Sequence, residues 1–185
     1  MSDPVSALDG RVTEGFVTVT GQGPRGMITL RGDLASAKLK AVCKTVTGVA
    51  FPGPGEAQLS GEAGLAWMSP DEVLVMVAYA DVRAALDKIH AALNGQHYLA
   101  ADVSDARAAI TLAGAGCREV LAKLCPADVE ALGPGQFRRT RMGQIAAAFW
   151  MRDETTIEVV CFRSVADYAF DLLSVSVKAG PVGYL

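Results

Sequence analysis

The chain has 185 residues, of which 51% are hydrophobic and 20% charged, a composition that supports a sizeable core and excludes intrinsic disorder. Seventeen basic and 20 acidic residues give a net charge of -3, without the basic surface typical of nucleic-acid-binding proteins. The longest apolar runs, 73–80 and 145–151, are far shorter than the roughly 20 residues that span a bilayer. We therefore expect neither nucleic acid nor a membrane as a partner, and an apolar surplus buried in the fold or against another protein.

The N-terminal residues lack the basic start and apolar stretch of a secretory signal, so we expect a cytoplasmic protein. An alternating stretch at 16–20 predicts a short edge strand within an N-terminal arm, residues 1–26. The four cysteines form no C-x-x-C pair and lie among apolar residues. We predict reduced, buried thiols at Cys43, Cys117, Cys125 and Cys161.

A strand followed by a helix begins the regular part of the chain. Residues 27–31 predict the strand, and Asp33 is the predicted N-cap of the helix that follows. After a Pro/Gly breaker at 51–55, three further strands are predicted at 57–60, 64–68 and 73–77. Asp81 then begins an amphipathic helix that we expect Gly95 to end.

The second half repeats this order of elements. Ile28-Thr29-Leu30 recurs as Ile110-Thr111-Leu112, an offset of 82 positions (110 minus 28), and a second breaker lies at 132–135. Three further features extend the match: Trp67 with Trp150, Asp71-Glu72 with Asp153-Glu154, and a last helix that Ser164 caps with Asp167 at capping-box spacing. Together they indicate an internal duplication.

Two copies of a strand, helix, strands, helix unit predict an α+β fold with two pseudo-twofold lobes and mainly antiparallel sheets. We expect the first lobe at 27–97, the second at 98–176 and a C-terminal tail at 177–185. Residues 98–103 lie at the junction and can pair with either sheet. Periodicity leaves open whether the lobes exchange strands.

Few residues suggest catalytic or metal-binding chemistry. His90 falls on the polar face of a predicted helix and His97 in the loop after it, and nothing near them resembles a zinc site. The glycine-rich segments 21–26 and 114–116 lack the pattern or context of a nucleotide-binding loop, and we interpret both as turns. We predict no catalytic residue, no cofactor-binding residue and no metal ligand on this chain.

Two acidic pairs have the proximity that raises one carboxyl pKa for general-acid catalysis. They are Asp102 with Asp105, and Asp153 with Glu154. Exposed turns and helix starts account for the same pairs more simply. We therefore interpret both pairs as structural.

Three arginines form an unusual cluster, because they lie close together on a predicted strand. Arg139 and Arg141 would share one face, opposite Arg138. They either bind a carboxylate or an acidic patch of a partner, or form a solvated strand end. The apolar tail is either docked or disordered, and we count Arg138, Arg139, Arg141, Tyr184 and Leu185 as the candidate interface.

The segments 102–114, 120–129 and 139–146 resemble the folate-binding domain of the glycine-cleavage aminomethyltransferase superfamily. The closer resemblance is to the gamma subunit family of bacterial heterotetrameric sarcosine oxidase. It rests on Arg139-Thr140-Arg141 followed by Gln144-Ile145, and on residues 162–168 before a closing helix. It is best over 99–175 and extends back to about 27 through the duplication.

This resemblance implies a noncatalytic structural subunit of a complex that oxidises sarcosine to glycine. The complex passes the methyl carbon to tetrahydrofolate or releases it as formaldehyde, and reduces oxygen to hydrogen peroxide. The resemblance implies alpha, beta and delta subunits as partners. It places FAD, FMN, NAD and tetrahydrofolate on those subunits and no cofactor on this chain.

The sequence departs from the folate-processing members of the superfamily at two positions. Those members carry an aspartate in a glycine-rich loop, whereas 151–155 contains no glycine, so the role is not carried over to Asp153. Asp105 stands where a histidine often follows the Asp-x-Ser motif. Two other functions remain open: a stand-alone folate-binding or one-carbon transfer protein, and a regulatory interaction module unrelated to sarcosine.

Overall fold

Antiparallel strands and short helices alternate along the chain in a computed structural model that describes residues 4–8 and 10–183. The strands are β1 Val12–Thr13, β2 Thr18–Gly21, β3 Gly26–Gly32, β4 Ala57–Ser60, β5 Ala63–Ser69, β6 Glu72–Val77, β7 Tyr98–Asp102, β8 Arg107–Ala113, β9 Phe137–Met142, β10 Ile145–Asp153 and β11 Thr156–Phe162. The α-helices are α1 Ala37–Thr47, α2 Val82–Leu93, α3 Cys117–Ala122 and α4 Ala166–Lys178. The predicted α+β class with mainly antiparallel sheets is confirmed.

One compact unit comprises residues 25–105. Its five strands are ordered β4-β5-β6-β3-β7, and α1 and α2 supply the helical part of its core. The amphipathic pattern predicted for α2 is observed, with Val82, Ala85, Ile89 and Leu93 buried. Alternate residues of the central strands, such as Ile28 and Val75, face these helices.

The other unit comprises the chain up to residue 24 and from residue 106 onward. Its six strands are ordered β1-β2-β8-β11-β10-β9, with α3 and α4 against one face. The core contains Ile110 and Val159 from the central strands, Phe149 from β10, and Phe170 and Leu173 from α4. Every strand pairing in both units is antiparallel among the described residues.

Two strands do not pair with the repeat that comes directly after them in the chain, but with the other repeat. β7 pairs with β3 in the five-stranded sheet, and β2 pairs with β8 in the six-stranded sheet. The strand predicted at 16–20 forms as β2, but the prediction that it is an edge strand is wrong, because β2 lies between β1 and β8. The two repeats therefore exchange strands, which periodicity alone did not determine. The lobe limits 27–97 and 98–176 describe the order of the repeat and stay a prediction.

The repeated Pro/Gly breaker is confirmed as a repeated turn. The Glu56 N–H donates to the Gly53 carbonyl at 3.1 Å, and the Gln136 N–H donates to the Gly133 carbonyl at 3.0 Å. The third residue of each turn is a glycine, Gly55 in one copy and Gly135 in the other, with φ of 75° and 78°. Only glycine adopts this conformation without strain.

The hairpin that follows the breaker is repeated in a different register from the predicted one. Trp67 lies opposite Val73, and Met151 lies opposite Ile157, each just before a bulge. Trp67 therefore corresponds to Met151 and not to Trp150, an offset of 84 (151 minus 67). For the same reason, the acidic pairs Asp71-Glu72 and Asp153-Glu154 do not occupy equivalent positions, and they differ by two residues from exact alignment. Intervening segments of unequal length shift the offset along the chain.

The predicted N-caps need correction. The hydroxyl of Ser36, not the carboxylate of Asp33, caps α1 by accepting from the Leu39 N–H. The Asp33 carboxylate instead accepts from the Ala35 N–H at 2.9 Å, which forms the turn before the helix. Ser164 does not cap α4, because a 3₁₀ turn at Arg163–Val165 precedes that helix. Asp81 holds the N-cap position of α2, but its side chain makes no capping bond.

These caps give a direct test of the α1 boundary. Replacing Ser36 by alanine leaves the first turn of α1 without its side-chain acceptor, and we expect the free energy of unfolding to fall by about 1 kcal/mol. Ser164→Ala is the matched control, with an expected change within about 0.5 kcal/mol. Equilibrium denaturation measures both, and equal losses for the two variants would contradict the assignment.

Candidate interaction surfaces

The three arginines of the candidate interface lie on β9, which is an edge strand of the six-stranded sheet. Arg139 and Arg141 are exposed on one face of the strand, and Arg138 is half-buried on the other, as the alternation predicts. The two ends of the strand, Phe137 and Met142, are buried. The fold thus fixes β9 at both ends and presents two guanidinium groups side by side.

Local backbone contacts hold two of these side chains. Arg138 donates to the Phe137 carbonyl at 2.8 Å, and Arg141 donates to the Gly143 carbonyl at 3.4 Å. Neither contact is with a carboxylate. These two contacts hold the guanidinium groups of Arg138 and Arg141 through backbone carbonyls.

A second exposed feature lies on the same sheet face and escapes sequence analysis. Phe162 is 45% exposed at the end of β11, and the Arg107 guanidinium stacks over its ring at 4.3 Å from the centroid. Because Phe162 ends an apolar strand, the sequence pattern predicts that its side chain is buried. Phe162 belongs to the last residue pair between β11 and β8, and this places its side chain at the border of the sheet.

The described part of the tail is docked. Lys123 donates to the carbonyls of Ser176 at 2.6 Å and Gly180 at 3.0 Å, which satisfies acceptors at the end of α4. The Val182 N–H donates to the buried carboxylate of Glu119. Tyr184 and Leu185, the other candidate interface residues, lie outside the described residues.

A polar cluster centred on the buried Glu158 lies on the face of the sheet that carries Arg139. The Trp150 indole N–H donates to Glu158 at 2.9 Å, and Arg152 lies 3.2 Å from the same carboxylate. Trp150 also stacks on Phe137, the first residue of β9, with ring centroids 6.3 Å apart. The cluster thereby connects three strands and anchors the start of the edge strand.

The acidic pairs serve local structure. Asp102 accepts from the N–H and the hydroxyl of Ser104, at 2.9 and 2.6 Å. Asp105 accepts from the Tyr79 hydroxyl at 3.0 Å. Each carboxylate closes a turn or joins two neighbouring segments, and the two do not share a proton site in these contacts.

The second acidic pair closes a tight turn. Asp153 lies opposite Thr156, so only two residues connect β10 to β11. The backbone N–H of Thr155 holds the pKa of Asp153 below its usual value, which is the reverse of what a general acid requires. Glu154 binds Arg118 at 2.9 Å. The turn between β10 and β11 is therefore short and internally bonded.

The remaining sequence candidates are also separated. The Nδ1 atom of His90 lies 2.7 Å from the Tyr98 hydroxyl, and His97 follows in the next loop. Among residues 4–8 and 10–183, no group of three or more histidine, cysteine or acidic side chains is arranged to hold a metal ion.

A cleft of about 560 Å³ near the start of α2 is lined by Glu62, Asp81 and Lys88. No helix in the described part of the chain is long and apolar enough to cross a membrane.

The four cysteines are buried free thiols, as predicted. Burial raises the pKa of Cys43 and of Cys125 to about 12, and that of Cys161 to about 11. Burial also raises the pKa of Cys117, an effect that the neighbouring Arg118 partly offsets. The thiolate is the reactive form, so these thiols are inert near neutral pH while the chain is folded.

We expect a maleimide or disulfide reagent at pH 8 to label the folded chain on the order of a hundredfold more slowly than the chain in denaturant. All four thiols should become reactive together on unfolding, as counted by mass spectrometry. Rapid labelling of a single cysteine under native conditions would show a reactive thiol that this packing does not allow.

Comparison with models of known families matches residues 31–178 to the sarcosine oxidase gamma subunit family. The chain belongs to this family. The match begins within β3 and includes every residue of β9. No curated protein matches the chain.

Solved structures show the same fold. The gamma-family chain is similar to a chain of heterotetrameric sarcosine oxidase from Corynebacterium sp. U-96, with a TM-score of 0.81, 23% identity and coverage of 94% of this chain and 91% of that one. It is similar to aminomethyltransferase T of the glycine cleavage system from Bartonella henselae, with a TM-score of 0.60 and 15% identity, over 83% of this chain and 44% of that one. A regulatory subunit of aspartate kinase from Thermus thermophilus has a TM-score of 0.50 at 15% identity, over 90% and 98% of the two chains.

Proposed function

We propose that this chain is a noncatalytic structural subunit of a heterotetrameric sarcosine oxidase. The observation that carries the proposal is the family match over residues 31–178. Its partners are the alpha, beta and delta subunits. Those subunits hold FAD, FMN, NAD and tetrahydrofolate and carry out the oxidative demethylation of sarcosine.

The chemistry of the described side chains supports a structural role. The pKa of Asp153 is lowered by the Thr155 N–H, and only two residues connect the strands on either side of this turn. The thiols are buried with raised pKa values, and the acidic pairs are engaged in local hydrogen bonds. The contribution of this chain is then to stabilise the arrangement of the larger subunits.

Co-expression tests the proposal. The tagged chain is produced with the three other subunits and purified, and the eluate is assayed for flavin absorbance and for sarcosine-dependent hydrogen peroxide. We expect both in the complex and neither in the isolated chain. A chain that elutes alone at its own mass would contradict the proposal.

A tetrahydrofolate titration of the isolated chain tests the stand-alone alternative. Saturable binding, measured by calorimetry, would favour a folate-binding or one-carbon transfer protein. We expect no saturable binding, because the β10–β11 turn offers no loop for the ligand.

A further inference from the structure

The two helices of the five-stranded unit carry more positive charge than the equivalent helices of the other repeat. α1 contains three lysines and no acidic residue, and α2 contains Arg83 and Lys88 against Asp87, so the pair has a net charge of +4 with histidine neutral. α3 contains Arg118 against Glu119, and α4 contains two aspartates against one lysine, which gives -1. The fold therefore forms these helices without a basic surface.

A groove of about 620 Å³ lies between α1 and α2. Exposed residues at helical spacing line it, with Lys38, Ala41 and Thr45 from α1 and Lys88, Ala91 and Ala92 from α2. Because the alanine side chains are short, the space between the helices can admit a side chain of another molecule. Each helix contributes one lysine to the groove, and no described acidic residue lines it.

Both lysines of the groove are available to a ligand. Neither Lys38 nor Lys88 makes a hydrogen bond, an ion pair or a ring contact with a described residue. Lys38 lies in the first turn of α1, which contains no acidic residue. The N-terminal end of a helix dipole is positive, so a lysine at this position is unfavourable for the helix itself. Its placement points to a partner of opposite charge.

The chain's own tail covers the equivalent helices of the other repeat. Lys123, just after α3, donates to the Gly180 carbonyl at 3.0 Å, and the Val182 N–H donates to Glu119 on α3. Val182 also lines a cavity of about 240 Å³ beside α3. The residues that line the α1–α2 groove are exposed, so no described segment covers it in the same way. This fold therefore accommodates an extended segment against its helices.

We propose that the α1–α2 groove receives an extended acidic segment of one of the larger subunits. Carboxylates of that segment pair with Lys38 and Lys88, and an apolar side chain between them packs on the alanines of the groove. Charge complementarity selects the segment, because both lysines are unpaired among the described residues and the groove is free of acidic side chains there. This inference rests on the proposed function, because it names the surface through which the subunit joins the complex.

The alternative role of these lysines is a solvated helix face, on which they contact only water. The two roles differ in their predictions for Lys38→Glu. An acidic residue suits the first turn of α1, so the isolated full chain should unfold at the same or a higher temperature. The same substitution should weaken the complex, because glutamate repels an acidic segment. A solvated face predicts the unchanged or higher stability without the weaker complex.

The test uses the co-expressed complex with a tag on this chain. Lys38→Glu/Lys88→Glu should retain at least about tenfold less of the larger subunits than wild type. Lys40→Glu/Lys44→Glu is the matched control, because it makes the same change in net charge and neither residue lines the groove. The control should retain the larger subunits as wild type does. Circular dichroism verifies that each variant is folded.

A second pair of variants tests the space between the lysines. Ala91→Leu fills part of the groove, whereas Ala84→Leu makes the same change at an exposed position of α2 outside it. Alanine and leucine both favour helices, so both variants should fold. We expect only Ala91→Leu to reduce retention. Retention by wild type should also fall between roughly 0.05 and 0.5 M salt.

Wild-type retention by folded Lys38→Glu/Lys88→Glu, or an equal loss in the Lys40→Glu/Lys44→Glu control, would overturn the docking proposal and leave the proposed function intact. Failure of the wild-type chain itself to retain any larger subunit would instead overturn the proposed function and this inference with it. Equal retention by Ala91→Leu and Ala84→Leu would overturn insertion into the groove. Self-association of the isolated chain that Lys38→Glu/Lys88→Glu abolishes, measured by light scattering, would overturn the proposal in favour of a second copy.

Discussion

Replacing Trp150 by alanine should lower the free energy of unfolding by about 3–5 kcal/mol. Trp150 is fully buried and stacks on Phe137, and its indole N–H donates to the buried carboxylate of Glu158. The substitution opens a cavity and removes a hydrogen bond from a buried charged group, which adds a desolvation penalty. Chemical denaturation of the purified chain, monitored by circular dichroism, measures the loss.

Two further variants identify the source of that loss. Trp150→Phe keeps most of the ring but not the N–H, and should cost about 1–3 kcal/mol. Trp67→Ala is the matched control, because Trp67 is only half-buried, and its loss should be the smaller of the two alanine substitutions. A larger loss for Trp67→Ala would contradict the assignment of Trp150 as the anchor of β9.

Gly26→Ala should be the most damaging of the glycine substitutions near the start of β3, with a loss of about 2–3 kcal/mol. A Cβ at this position would lie 2.5 Å from Cγ2 of Val82 and 2.8 Å from the backbone carbonyls of Val77 and Ala78. Carbonyl oxygens cannot rotate away as a flexible side chain can, so β3 must move away from the end of β6. Thermal and chemical unfolding of the full chain measure the effect.

Gly23→Ala is the control in the same glycine-rich segment. A Cβ there meets nothing within 4 Å, and we expect a change within about 0.5 kcal/mol. Similar losses at Gly23 and Gly26 would mean that the segment requires flexibility and not close packing. The expected difference explains this glycine-rich segment without a nucleotide ligand.

Local patterns were sufficient to predict most elements of the fold. Strand 57–60 has the predicted bounds, and the strand predicted at 73–77 begins one residue earlier, at Glu72. The helix predicted after Asp81 spans Val82–Leu93. The pattern succeeds because β6 is a short apolar run that is buried along its whole length, whereas α2 buries residues at helical spacing.

Local sequence patterns could not predict which strands pair with each other or which residues cap the helices. β2 and β7 join the sheet of the opposite repeat, and an isolated strand contains no signal for its partner. Asp33 and Ser36 both suit an N-cap, and the turn that Asp33 forms with Ala35 decides in favour of Ser36. Competing local hydrogen bonds of this kind are resolved only in three dimensions.

The candidate interface was predictable in part. Alternation along β9 correctly predicts that Arg139 and Arg141 share an exposed face. That β9 is an edge strand follows from the order of the whole sheet, which the sequence of β9 does not specify. Phe162 escapes for a similar reason, because its exposure depends on where the sheet ends.

The most direct test of the structural-subunit account compares the complex assembled with and without this chain, by light scattering and by turnover per bound flavin. The account predicts that the alpha, beta and delta subunits fail to form the complete assembly when the chain is omitted. It also predicts that adding the purified chain restores the assembly. Full assembly in its absence, with loss of one chemical step that the chain alone restores, would contradict the account and assign the chain a catalytic role.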